Sequence, residues 1–148
     1  MEIASIIISI TSVLFSLISM ISSFVKYRKT VIHDRQVNTL EAFNRLQNEA
    51  LDYLYTLTKS DIVDISQNPR SAEYKEITTY LARIEHFCVG VNTKIYDLDV
   101  VKRMAGRYLS STYDKFEPLI EKKRSINKQG RHYDEFEKAV IMLRANKD

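Results

Sequence analysis

Charged and apolar residues divide this chain into two regions of different character. From Ile3 to Val25 there are 23 residues with no charge, no Gly and no Pro. As a helix this run would be about 34 Å long at ~1.5 Å per residue, more than the ~30 Å hydrocarbon core of a bilayer. It predicts an uncleaved transmembrane helix. A secretory signal peptide would carry its basic residues before a shorter apolar run and a cleavage site after it. Here the only charge before the run is Glu2, and Lys26, Arg28, Lys29 and Arg35 follow it. The positive-inside rule then places Met1 outside a bacterial inner membrane and residues 26–148 in the cytoplasm.

The polar residues of the run form a pattern of their own. Ser5, Ser12 and Ser19 repeat every seven residues, and so do Ser9, Ser16 and Ser23, with only Thr11 and Ser22 off the frame. A 3.5-residue period holds one face toward a neighbour in a left-handed supercoil. Small residues on that face let two backbones approach closely. Three readings stand: each Ser bonds its own i−4 carbonyl and faces lipid, the stripe is a packed homo-oligomer interface, or it lines a water-filled pore in a ring. Glu2 and Lys26 fall on the same frame and would place charge at the mouths of such a pore, with Arg28 and Lys29 beside them as topology charges.

Beyond the run the pattern is helical and shows no strand alternation. Because Gly and Pro are absent up to Asn68, the first helix can continue without a break, with Val37, Leu40, Phe43, Leu46, Ala50, Leu54 and Leu57 on one face. A break is expected from Lys59 to Arg70. Ser71 is placed to cap the next helix, which carries Tyr74, Ile77, Leu81, Ile84, Cys88 and Val91. Asp97 is placed to cap a third, with Val101, Met104, Ala105, Tyr108 and Leu109. Pro118 is expected to kink or restart the segment from Tyr113 to Arg124. A loop at Asn127–Gly130 precedes a last helix bearing Tyr133, Phe136, Val140 and Leu143. The expected fold class is all-α: a transmembrane helix (1–25), a connecting helix (26–59), a loop (60–71) and an antiparallel helical bundle (72–148).

Charge and composition narrow the chemistry. The net charge of +3 comes largely from residues 26–35, which reads as a topology and lipid-headgroup signal and leaves no nucleic-acid footprint. One Cys excludes a disulfide scaffold, and Cys88 on an apolar helical face reads as a structural thiol. His33, His86 and His132 are too scattered for a metal site. No catalytic residue, cofactor or metal is expected. Arg28 and His33 match the Arg-x4-His pattern of HEPN ribonucleases, a match that chance also supplies in a chain this rich in Arg. Glu85 lies beside the buried stripe and needs a partner, and Arg124 is the expected one, as a structural ion pair. Gly90 in mid-helix suggests close packing or a helix end.

The stretch Tyr80-Leu81, Glu85 and Val89-Gly90-Val91, followed by Asp97, Val101 and Gly106, then Pro118, Ile120 and Arg124, then Tyr133 and Phe136-Glu137, resembles a group of short bacterial membrane proteins. That resemblance implies a span and a helical domain of unknown function, and names no activity. The architecture is also similar to the pore-forming membrane accessory protein of type VI CRISPR systems, which has a HEPN-like helical domain. The function expected is a non-enzymatic, single-pass homo-oligomer that acts as a regulated membrane pore or permeabilising effector in phage defence. The alternative is a membrane-tethered adaptor whose cytoplasmic bundle binds a protein partner. Expected partners are the chain itself, membrane lipid and a cytoplasmic protein, without nucleic acid.

Overall fold

The computed structural model describes the backbone of residues 2–126 and 131–145, with side chains from residue 11 onward. Helices account for nearly all of it: α1 (Glu2–Leu46), a π-helical turn (Gln47–Leu51), α2 (Asp52–Thr56), α3 (Lys59–Gln67), α4 (Ala72–Asn92), α5 (Leu98–Ile126) and α6 (Asp134–Arg144). No strand occurs among the described residues. The chain forms two compact units, one ending at Arg35 and one beginning at Gln36.

In the first unit α1 is helical as expected, but the expected crossing does not hold. Among the described residues, no helix is long and apolar enough to cross a membrane. From Thr11 onward the apolar stretch carries Ser12, Ser16, Ser19, Ser22 and Ser23, and Lys26, Arg28 and Lys29 follow it directly, so polar and charged groups dilute its apolar character. The inner-membrane location is corrected accordingly, with the outside N-terminus and the cytoplasmic 26–148 that followed from it. A pore built on that crossing loses its support with it. The side chains of Glu2, Ser5 and Ser9 lie outside the described residues.

In the second unit one core is built from every helix. Phe43, Leu46, Leu51, Leu54, Ile62, Ile77, Leu81, Ile84, Leu109, Phe116, Leu119, Ile120 and Phe136 are all buried in it. The stripes expected on α4 and α6 are the buried ones: Tyr74, Ile77, Leu81, Ile84, Cys88 and Val91 on α4, and Phe136, Val140 and Leu143 on α6, with Tyr133 buried just before it. Ser71 caps α4 by accepting from the Tyr74 N–H at 3.0 Å. Asp97 caps α5 by accepting from the Asp99 and Val100 N–H groups. The Asp97 N–H in turn donates to Thr39 Oγ1 at 2.8 Å, which ties the α5 start to α1.

Three elements depart from the pattern-based expectation. The stretch read as a loop over 60–71 contains α3. Thr58 and Asp61 form a reciprocal capping box, Thr58 Oγ1 accepting from the Asp61 N–H and Asp61 accepting from the Thr58 N–H at 2.7 Å. Ile62 then anchors the helix in the core. Pro118 does not interrupt α5. Proline in a helix interior costs about 3 kcal/mol, whereas burying Phe116, Leu119 and Ile120 around it returns about 1.5–3 kcal/mol for each side chain. Finally, the first helix does not run straight through to Leu57. Its π turn adds a residue to one turn, so that Ala50 and Leu51 are both fully buried. The helix stops at Thr56, and Leu57 is extended.

Gly90 is required by close approach. The Tyr96 ring lies 2.4 Å from where a Cβ at this position would sit. Tyr96 also stacks on Phe87 at 5.1 Å, and its N–H donates to the Gly90 carbonyl at 2.9 Å. Replacing Gly90 with Ala gains about 1 kcal/mol of helix propensity, but overpacking costs about 1–3 kcal/mol and Tyr96 cannot move without losing its stack. Net destabilisation of about 1–2 kcal/mol is expected in urea melts. A stabilised variant would show that Tyr96 swings away freely.

Candidate functional site

The start of α6 is the most elaborate polar arrangement of the second unit. Tyr133 occupies the N-cap position in a left-handed conformation (φ 66°) and offers no side-chain cap. Glu85 supplies one from α4: its two carboxylate oxygens accept from the Glu135 N–H at 3.0 Å and the Phe136 N–H at 2.7 Å. Burial raises the Glu85 pKa, the two backbone N–H bonds oppose that rise, and nearby Glu135 and Asp134 add to it. Asn92 donates to both the backbone and the side chain of Glu135, at 2.8 and 2.7 Å. Arg124 holds the same helix start from α5. Its Nε donates to the His132 carbonyl at 2.9 Å and its Nη atoms to Glu121, Asp134 and Glu137 at 3.1, 3.3 and 2.7 Å.

The expected Glu85–Arg124 pair is therefore divided. Both residues grip α6, but Glu85 bonds backbone N–H groups and Arg124 bonds three other carboxylates. Residue spacing points to a need for partners and cannot choose them, because an uncapped helix start fifty residues away satisfies Glu85 as well as a cation would. This site holds the bundle together.

Arg28 and His33 both lie exposed on α1, with the Arg28 guanidinium 5.9 Å from the centre of the Phe24 ring. Five helical residues separate them by about 140° around the axis, so one chain does not bring them together. Lys26 and Lys29 are exposed as well. Cys88 is buried, and burial, with Glu85 and Glu135 nearby, pushes its thiol far above the usual range, which suppresses the nucleophilic thiolate. Among the described residues no group of His, Cys, Asp and Glu could hold a metal ion.

The surface grooves differ in charge. One, of about 260 Å³, is lined by Arg45, Glu49, Arg83, His86 and Tyr96 beside the π turn, and Arg83 pairs with Glu49 at 2.9 Å. A second, of about 300 Å³, gathers Asp61, Asp64 and Glu73 around Tyr53. A third runs along α5 and the end of α6, with a volume of about 770 Å³, and gathers Lys102, Arg103, Arg107 and Arg144 with a single carboxylate, Asp114. Whole-chain charge balance hides this segregation. The signal for the basic groove was Arg103-x3-Arg107 on one helical face, and Arg144 joins it only through the fold.

The described chain is thus an all-α helical bundle preceded by an apolar helix. A family model described as "Domain of unknown function (DUF4760)" matches residues 3–142. The protein belongs to this family. That match agrees with the helical domain implied by the sequence resemblance and shows no family link to CRISPR accessory proteins. No curated protein and no solved structure matches the chain.

Proposed function

We propose that this protein is a non-catalytic helical interaction module that self-associates through α1. One observation carries the reading. From Thr11 to Asp34 every side chain of α1 is exposed, including Phe15 at 73%, Ile18 at 63% and Phe24 at 60%. A helix that exposes this many large apolar side chains belongs inside an assembly. Covering the large side chains from Val13 to Val25 returns about 25 cal/mol for each Å² removed from water. Ser12, Ser16, Ser19 and Ser23 keep the seven-residue frame along this stretch and supply the small face that lets helices approach. A second copy of the chain presents the same surface and covers it by symmetry.

The test is the native mass of the full-length protein in solution by sedimentation equilibrium. An oligomer is expected for the wild type. Phe15→Glu with Phe24→Glu should shift it toward the monomer while leaving the far-UV CD signal of the bundle unchanged. A monomeric wild type would overturn the proposal. The adaptor reading, in which the bundle binds another protein, is supported by the acidic groove of Asp61, Asp64 and Glu73, which suits a basic partner. It predicts that partner capture depends on those carboxylates and survives the α1 substitutions.

A further inference from the structure

We infer that the groove along α5 and the end of α6 is a binding site for a small phosphate-bearing ligand of oligophosphate type. The inference uses the second unit alone and is independent of self-association through α1. The groove has the dimensions of a ligand site: about 770 Å³, inside the ~300–1,000 Å³ range of small-molecule pockets. Its walls carry four cations against one carboxylate.

The cations are arranged for a bidentate anion. Arg103 and Arg107 are one turn apart on α5, both exposed, and neither has an ion-pair partner among the described residues. Like charges at this spacing repel, and a bound dianion between them would reverse the sign of that interaction. Guanidinium groups suit phosphoryl oxygens because their planar forks match two acceptors at once. Across the groove, Arg144 donates to Asp114 at 2.7 Å and to the Ser110 carbonyl at 3.2 Å. That pair holds its guanidinium at the rim and sets the orientation of the third fork. Gly106 lines the floor of the groove on the same helix as Arg103 and Arg107. A Cβ there would meet nothing closer than Leu143 Cδ2 at 3.8 Å, so the floor is open. Met104 and Leu143 add apolar surface beside the cations, enough for the non-phosphate part of a ligand to rest on.

Titration calorimetry of the full-length protein with inorganic pyrophosphate tests the assignment. Saturable binding of one pyrophosphate per chain is expected, weakening as salt is added. Arg103→Gln with Arg107→Gln should weaken it at least about tenfold, the scale of losing charge-assisted hydrogen bonds. Lys122→Gln with Arg131→Gln removes two charges outside the groove and should leave affinity unchanged. These substitutions all change exposed side chains, and matching melting temperatures confirm that the bundle stays folded. No saturable binding, or equal loss in the control pair, would overturn the proposal. So would equal competition by a poly-glutamate peptide, which would mark a general anionic docking face instead of a phosphate site.

Discussion

Phe136→Ala is expected to remove about 3–5 kcal/mol of stability, the typical cost of deleting a large buried aromatic ring. Phe136 is fully buried and meets Tyr113 edge-on at 5.2 Å. It is also the residue whose N–H is held by Glu85, so its backbone cannot shift to close the cavity without breaking the 2.7 Å bond. Domains of this size hold about 5–15 kcal/mol in total, so the variant would be marginal or unfolded at physiological temperature. Urea melts of both proteins measure the difference through the midpoint at constant slope. A loss below about 1 kcal/mol would show that neighbouring side chains collapse into the space, and that α6 is not anchored as described.

Glu85→Ala is the second large effect. The substitution leaves two N–H groups at the α6 start without an acceptor, and each unsatisfied buried donor costs about 1–3 kcal/mol. Both lie in the first turn, where water reaches in part, so a total of about 2 kcal/mol is expected. The pH dependence separates this role from simple packing. Burial, the largest influence, raises the Glu85 pKa above its ordinary 4.5 despite the two N–H bonds that lower it. Between 4.5 and that raised value the folded protein retains a proton that the unfolded chain has released. The unfolded state binds fewer protons in this window, so the Glu85 contribution is greatest below 4.5 and declines as pH rises through it. The wild type should therefore exceed Glu85→Ala by more in acid than at neutral pH. Taking the difference between the two proteins cancels the opposite slope of groups such as Asp61, whose pKa is lowered by its capping hydrogen bonds to Thr58. A difference that grows toward neutral pH would show that Glu85 acts chiefly as an ionised cap.

Local rules carried much of the fold because they act over one or two helical turns. Ser71 and Asp97 cap the helices they precede, since a short polar side chain in front of an apolar period has few other uses. The α4 and α6 stripes are buried where their 3.6-residue period placed them. The same rules went wrong where two signals competed. Lys59 to Arg70 looked like a break because its polar residues and Pro69 outweigh Ile62 and Ile65, yet the Thr58–Asp61 box was present in the sequence and starts α3. The apolar run at the N-terminus predicted a membrane crossing from its length, its lack of charge and the basic residues after it. Among the described residues no helix meets that requirement.

Sequence by itself determined that this chain is helical, where most helices begin, and which faces are apolar, because those properties follow from neighbours within about four residues. Only tertiary structure decided which polar groups meet. Glu85 caps a helix fifty residues away, Arg124 gathers three carboxylates, and Arg144 joins Arg103 and Arg107 across a groove. A side chain's need for a partner is written in its chemistry. The partner it obtains depends on how helices distant in sequence pack to bury their apolar faces.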